Sequence, residues 1–219
     1  MQSQQNNIKK RISPNLVAVI GALVLMLGGF FLSYSYIQTK KIKTYDMMAH
    51  YIYKEENNEA VIETEEKEEK KEETKPDTSN NIEGIETYIG YLSIPKINFN
   101  KGFFKQESKE NDVEKNIFIV NGSTYPDVDK GNFIIAGHSG TGWKAFFNDL
   151  YKLDKGDNVT VTYKNVKYNY NITKIYKQQK TGKIAIYRDY SKTTLTLITC
   201  TNNESTTQTI YIAELVSKE

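Results

Sequence analysis

The segment TLTLITCTNNESTTQTIYIAEL, Thr194–Leu215, decides the fold. Its two ends alternate apolar residues with polar ones, and the stretch between them is rich in Asn and Thr. Alternation with a period of two is typical of half-buried strands, so the segment predicts a β-hairpin. The single cysteine of the 219 residues, Cys200, closes the first strand. Such a free thiol is either a small buried hydrophobe or a reactive group at a strand end.

A similar pattern of short apolar segments extends upstream to residue 82 and predicts a mostly β domain. Short segments rich in Tyr, Ile, Val and Thr are separated by Gly, Asn and Asp. Apolar residues at helical spacing predict one helix at Trp143–Leu153. This pattern favours a closed or nearly closed eight-stranded β-barrel with one or two short helices over a parallel sheet. The predicted strands are Tyr88–Ile94, Ile117–Asn121, Asn132–Gly137, Asn158–Tyr163, Val166–Tyr176, Lys183–Arg188, Thr194–Cys200 and Thr209–Val216.

An apolar run near the N-terminus predicts a membrane anchor. The run LVAVIGALVLMLGGFFLSYSYI, Leu16–Ile37, contains no charged residue and is long enough to cross the roughly 30 Å hydrocarbon core of a bilayer. It ends in bulky tyrosines rather than in the small residues of a signal-peptidase site, so we expect an uncleaved transmembrane helix. Basic residues flank both ends, but the extra amino-terminal charge favours a cytoplasmic N-terminus and an extracellular domain.

Composition divides the chain into four predicted parts. Residues 1–15 form a cytoplasmic tail, residues 16–37 the transmembrane helix, residues 38–81 a juxtamembrane segment and charged stalk, and residues 82–219 the β domain. The stalk is dominated by Glu and Lys, and it cannot bury enough apolar surface to offset its chain entropy, so we expect it to be largely disordered. The net charge of +2 gives no indication of a nucleic-acid partner.

Two histidines are available as partners for the thiol. His50 lies just past the anchor, where an incidental role is expected. His138 follows a predicted strand and stands between Gly137 and Gly140, which leaves an open approach for a ligand. A cysteine with a histidine elsewhere in the chain is the minimal pair for nucleophilic catalysis, because the imidazolium stabilises the thiolate and later protonates a leaving amine. The spacing alone leaves a structural role for both residues open.

The motifs in this order resemble those of the sortases, the membrane-anchored cysteine transpeptidases of Gram-positive cell surfaces. The resemblance is carried by GYLSIPKI at Gly90–Ile97, AGHSG around His138 and TLITC ending in Cys200, all behind an N-terminal anchor. It covers most of Ile82–Val216. It implies the sortase-like eight-stranded β-barrel that the strand count also favours.

The resemblance also implies a reaction and its partners. Cys200 would attack the carbonyl of a Thr in a sorting motif near the C-terminus of a secreted protein and form a thioacyl-enzyme. An amine of a peptidoglycan precursor or of a pilin would resolve it, and His138 would transfer the protons. The implied protein is a sortase-type thiol protease of the hydrolase class, held in the lipid bilayer of the cell membrane and acting at the cell wall.

One position departs from the family's pattern. Sortases carry an arginine on the strand after the cysteine, and the matching position here is Gln208. The arginines of this chain are Arg11, before the anchor, and Arg188, before the cysteine strand. Three interpretations are open: Gln208 supports the oxyanion with a neutral hydrogen bond, Arg188 reaches the site from its loop, or the domain has lost activity. In the last case the barrel would be a weak or inactive domain that binds surface peptides.

Other cysteine chemistry fits less well. Papain-like peptidases place the cysteine before the histidine, the reverse of the order here, and L,D-transpeptidases require a Ser-His-Gly-Cys type run that this sequence lacks. No cofactor is expected, and the histidine and cysteine count does not build a metal cluster. Some sortases bind calcium, so the acidic residues Glu107, Glu110, Asp112 and Glu114 are a calcium candidate, although a solvated loop is the simpler interpretation.

Overall fold

The computed structural model describes residues 14–56 and 86–219. Nearly all of the predicted tail, and the predicted stalk from residue 57 onward, lie outside these ranges. The chain divides into two compact units, residues 1–42 and residues 43–219.

One long helix, α1 (Pro14–Glu56), contains the predicted transmembrane segment. Most of its apolar side chains between residues 16 and 37 are exposed, as expected for a surface that lipid would cover. By length and composition, the Asn15–Tyr51 part contains a stretch that can cross a membrane, which is compatible with a single-pass anchor. The helix continues to Glu56, through the first part of the predicted juxtamembrane segment.

The second unit is built around one eight-stranded sheet that curls into a nearly closed barrel, which confirms the predicted fold class. Its order is β2-β1-β5-β6-β8-β7-β4-β3, and the described pairings are antiparallel except that of β4 with β7. The strands are β1 (Gly90–Ile94), β2 (Phe99–Phe103), β3 (Phe118–Ile119), β4 (Asn132–Ala136), β5 (Asn158–Tyr163), β6 (Val166–Gln179), β7 (Thr194–Cys200) and β8 (Thr207–Lys218). Two short 3₁₀ helices cover Pro95–Ile97 and Asn148–Lys152.

The sheet has two apolar faces. Alternate side chains of the strands fill the barrel interior, which is the main core. The opposite face of the central strands carries a smaller apolar cluster, which we call the outer cluster. It consists of Ile134, Ile198, Ile210 and Ile212, flanked by partly buried Val120, Ala136, Tyr176 and Ile186. The largest fully buried side chains are Tyr170, Phe103, Phe133, Phe147, Leu92, Ile94, Ile117, Ile119, Ile135, Leu150, Ile172 and Leu195.

The predicted strand Lys183–Arg188 is wrong, because this segment is a loop. Both sides of β7 are already occupied by β8 and β4, so the segment cannot pair with the strand that follows it. Side chains of β6 take the place of a partner strand. The Tyr176 hydroxyl donates to the Ala185 carbonyl and accepts from the Tyr187 amide, and Lys174 donates to the Tyr187 carbonyl.

The helix predicted over Trp143–Leu153 is also wrong in most of its length. Gly142 has φ of +125°, and turns lead only to the 3₁₀ helix Asn148–Lys152. An α-helix would direct the Phe147 amide to the Trp143 carbonyl. Instead it donates to the His138 carbonyl at 2.8 Å, so tertiary contacts override the apolar periodicity.

Candidate active site

The parallel pairing of β4 with β7 brings His138 beside Cys200. Ala136 is paired with Ile198 in this register, and His138 and Cys200 each lie two residues further along. The ladder continues past the end of β4, because the Gly137 amide donates to the Ile198 carbonyl at 3.1 Å. Two residues on, the Ser139 hydroxyl donates to the Cys200 carbonyl at 2.7 Å. The imidazole and the thiol therefore belong to neighbouring positions at one end of the sheet.

Gln208 lies on the other side of Cys200. The two residues are direct partners in the antiparallel pairing of β7 with β8. Side chains of such partners project from the same face, with Cβ atoms about 4.5–5.5 Å apart. Gln208 is in turn paired with Gln178 of β6. Gln178, Gln208 and Cys200 thus form one row across β6, β8 and β7, and His138 continues it in the loop just past β4. We call these four residues the catalytic row.

The floor beside the catalytic row is apolar. Ile198 and Ile210 are each two residues from Cys200 and Gln208, so they share the same face and belong to the outer cluster. Cys200 itself is half-buried and free of any disulfide. An extended peptide that rests on this floor would pass the thiol at the edge of the cluster.

The loop after β4 holds His138 by its backbone. The Phe147 amide binds the His138 carbonyl, and the buried Phe147 ring packs against Gly137. A Cβ at Gly137 would stand 2.9 Å from that ring, so glycine is required for this close approach. The Thr199 hydroxyl donates to the Gly137 carbonyl at 2.9 Å, which ties the start of the loop to β7.

A carboxylate and a lysine accompany the imidazole. Nε2 of His138 lies 2.8 Å from Oε1 of Glu114, and Nζ of Lys144 lies 2.5 Å from Oε2 of the same carboxylate. Hydrogen bonds from Lys144 and then from His138 lower the pKa of the Glu114 carboxyl below its ordinary value. The His138 and Glu114 side chains are 37% and 55% exposed, so water screens this pair. Glu114 can therefore orient the imidazole.

Arg188 lies at the opposite end of β7 from the thiol. Its Nη1 atom is 3.1–3.3 Å from the carbonyls of Lys130, Gly131 and Lys192 and from the Thr194 hydroxyl. Thr194 begins β7 and Cys200 ends it, a separation of about 20 Å at roughly 3.3 Å per residue. The structure therefore does not bring Arg188 to the catalytic row.

His50 and the acidic residues Glu110 and Asp112 lie in other surroundings. The ring of His50 meets that of Tyr91 edge-on, with centroids 5.0 Å apart. In the acidic stretch, Glu110 pairs with Lys115, and the Asp112 carboxylate accepts a hydrogen bond from the Glu114 amide. Within residues 14–56 and 86–219, no group of three or more His, Cys, Asp or Glu side chains is arranged to hold a metal ion.

Sequence reasoning missed two residues of this site. The sequence offers Glu114 only as a calcium ligand, and its loop position gives no signal of a contact with His138. No sequence pattern marks Gln178, although its partner in the sheet is Gln208. Its Nε2 atom is buried and has no hydrogen-bond partner among the residues that the structure describes. An alternating strand pattern gives the face of a residue but not its neighbour across the sheet, so this pairing required the structure.

We expect Glu114→Gln to reduce the rate of thiol chemistry at Cys200 about two- to fivefold at pH 7, the range for loss of an exposed ion pair. The change removes the carboxylate charge that contacts the His138 imidazole while it keeps the size of the side chain. The measurement is the alkylation rate of Cys200 by iodoacetamide. Glu110→Gln is the matched control, because Glu110 belongs to the same loop but pairs with Lys115. Equal effects of the two variants would contradict a specific role of Glu114.

Comparison with known proteins gives a consistent result. Residues 92–216 match the family model of the Sortase domain. The chain is 25% identical over 125 residues to sortase A of Bacillus anthracis, which covers 57% of this chain and 58% of that protein. It is 25% identical over 154 residues to sortase A of Listeria monocytogenes, with 66% of each chain covered. The chain thus spans less than two thirds of either relative.

Among solved structures, a sortase D5 transpeptidase of Clostridium perfringens superimposes with a TM-score of 0.51 and 26% identity. The match covers 60% of this chain and 80% of that one.

Proposed function

The chain belongs to the sortase family, and on this premise we propose that it is a cysteine transpeptidase whose nucleophile is Cys200. The observation that carries the proposal is the parallel register of β4 and β7, which puts His138 beside the thiol. A thiol and an imidazole at adjacent positions meet the requirement for a nucleophile with its own proton carrier. The family match leaves the sortase subclass unassigned.

The proposed reaction has two halves. The Cys200 thiolate attacks the carbonyl carbon of a Thr in the sorting motif of a secreted protein. The C–N bond to the next residue then breaks, the leaving amine takes a proton from the His138 imidazolium, and a thioacyl-enzyme remains. In the second half an incoming amine loses a proton to His138 and attacks the thioester. The C–S bond breaks and the thiolate is regenerated.

The outer cluster gives this reaction a place for the substrate. Its isoleucines form an apolar strip on the face that carries Cys200 and Gln208. The loop between β6 and β7 lies over one side of the strip, with Ile186 packed against it and Tyr187 exposed. An extended sorting peptide on the strip would present its Thr carbonyl to the thiol at the edge.

Location and partners follow from the anchor and the proposed chemistry. We propose that α1 spans the cell membrane once, with the N-terminus in the cytoplasm and the barrel outside. The acyl donors would be secreted proteins with C-terminal sorting signals, and the acceptor would be an amine of a peptidoglycan precursor or of a pilin. A peptidase of this kind belongs to the hydrolase class, because water replaces the amine when no acceptor is present.

In place of the family's arginine, we propose that the Gln208 amide donates to the developing oxyanion. Gln208→Ala should lower kcat for a sorting peptide about 10²- to 10³-fold, the usual cost of one oxyanion donor. Gln208→Arg should match or exceed the natural protein, since a charge-assisted hydrogen bond is roughly twice as strong as a neutral one. The measurement is steady-state transfer of a fluorescent peptide to an amine.

Thr206→Ala is the matched control for Gln208, because Thr206 is exposed in the same hairpin. It should change kcat less than about twofold, as surface substitutions usually do. If Gln208→Ala leaves kcat unchanged, Gln208 is not the oxyanion donor.

The transfer assay also tests the function as a whole. The full-length protein in detergent is incubated with a panel of peptides that carry different sorting motifs, with and without an added amine. We expect an intact-mass increase on Cys200 equal to the acyl fragment, and a product peptide that contains the amine. Peptide binding without an acylated protein would instead support the second candidate function, an inactive peptide-binding barrel, which the loss of the arginine at Gln208 favours.

A further inference from the structure

The last part of α1, Lys43–Glu56, is built into the same compact unit as the barrel. Ala49 is fully buried there and belongs to a third apolar cluster with Tyr88 and Phe104 of the barrel. Tyr91 of β1 borders this cluster. We call this part of α1 the docked segment.

A partly buried ion pair joins the docked segment to β2. The Asp46 carboxylate binds Nζ of Lys101 at 2.5 Å and accepts a hydrogen bond from the Tyr88 hydroxyl. The Lys101 side chain is only 7% exposed, and burial lowers its pKa below the ordinary value while Asp46 opposes this effect. Among the described residues Asp46 is the only ion-pair partner of Lys101. It is therefore the group that compensates a buried positive charge.

The same ammonium contacts the loop that carries His138. Nζ of Lys101 lies over the Phe146 ring, 4.6 Å from its centroid, a distance typical of cation–π contacts. The next residue, Phe147, donates its amide proton to the His138 carbonyl. Phe99, two residues before Lys101 in β2, packs its ring against that of Phe147 at 5.6 Å between centroids.

We infer that the docked segment sets the position of His138 through the contacts from Asp46 to Lys101 and from Lys101 to Phe146. Asp46 is then a positioning residue for the proposed reaction, and this inference rests on the function proposed above. The catalytic unit therefore begins at Lys43, whereas the Sortase domain match begins only at residue 92.

The test uses the full-length protein in detergent and two substitutions. Asp46→Asn leaves the buried ammonium without a counter-charge, which strongly destabilises a protein. The double variant Asp46→Asn with Lys101→Met removes both charges and keeps the volume, so its melting temperature should return close to that of the natural protein. The double variant therefore separates stability from the positioning of His138, because it lacks the Lys101 ammonium that contacts Phe146.

The rate at which iodoacetamide alkylates Cys200 is measured as a function of pH. The measurement is made well below the melting temperature, so differences in stability do not affect the rate. In both variants we expect the pH of half-maximal rate to rise, and kcat for peptide transfer to fall about tenfold with little change in KM. Met47→Ala is the matched control, because Met47 is the next residue but is exposed. It should change neither quantity.

The inference is overturned if the double variant regains both the melting temperature and the natural alkylation profile. That result would mean that the ion pair only stabilises the fold. Failure of the proposed function gives a different result: no peptide is transferred by the natural protein, whereas the alkylation profile can still be compared between variants.

Discussion

Cys200→Ala should abolish transfer of a sorting peptide to an amine, with a loss of at least about 10³-fold. In the proposed reaction the thiol supplies the electron pair that forms the thioacyl bond, and no other cysteine exists in the chain to replace it. Alanine leaves the half-buried end of β7 otherwise intact, so the melting temperature should change little. The measurements are product formation in the transfer assay and the intact mass of the protein after incubation with peptide.

Ser205→Ala is the matched control for Cys200, because Ser205 is exposed in the loop between β7 and β8. It should transfer peptide at the natural rate and show the same mass increase. Transfer by Cys200→Ala at more than about a tenth of the natural rate would exclude the thiol as nucleophile. Unchanged peptide binding by Cys200→Ala is compatible with the proposal, since the outer cluster remains complete.

The sequence predicted the barrel well where local pattern and tertiary pairing agree. The two strands of the hairpin that ends in β8 were found, because strict alternation and a polar loop mark them. The sequence did not predict strand β2, because its residues FNKGF include a lysine and a glycine, which suggest a loop. This segment is a strand because it pairs with β1, and because Gly102 lets the Tyr88 ring approach.

The candidate site was predictable in part for the same reason. Cys200 and Gln208 belong to one hairpin, so their relation follows from register within a short segment. His138 came from a motif, and its place beside the thiol depends on a parallel pairing between strands 62 residues apart. The contact of Glu114 with His138 and that of Lys101 with Asp46 join segments that are distant in the sequence, and no periodicity marks such contacts. In the sequence these charged residues look like ordinary surface residues, and only the structure shows what they contact.

The contact between Asp46 and Lys101 also affects the stability expected of a shortened protein. A protein that begins at the predicted domain boundary, residue 82, lacks the docked segment and leaves Lys101 buried without its carboxylate. It would also expose the apolar cluster around Tyr88 and Phe104. Such a protein would be expected to be less stable than one that begins at Lys43, because uncompensated buried charge and exposed apolar surface both favour unfolding.

His138→Ala should lower kcat for transfer about 10²- to 10⁴-fold, the contribution of a positioned proton carrier. The alanine variant retains the thiol but has no group beside it to stabilise the thiolate or to protonate the leaving amine. Alkylation of Cys200 at pH 7 should therefore slow toward the rate of a free model thiol, whereas at high pH the two proteins should react alike. The measurement is the iodoacetamide rate from pH 5 to pH 10, with intact mass as the readout.

His50→Ala is the matched control for this prediction, because the ring of His50 packs edge-on against Tyr91 of β1. It should leave the pH dependence of alkylation unchanged. A second control combines His138→Ala with Cys200→Ala, which should transfer no more slowly than Cys200→Ala alone, because the two groups act as one unit and their losses do not add. Equal alkylation rates at pH 7 in the natural protein and in His138→Ala would show that the imidazole does not activate the thiol, and the proposed reaction would then fail at its first step.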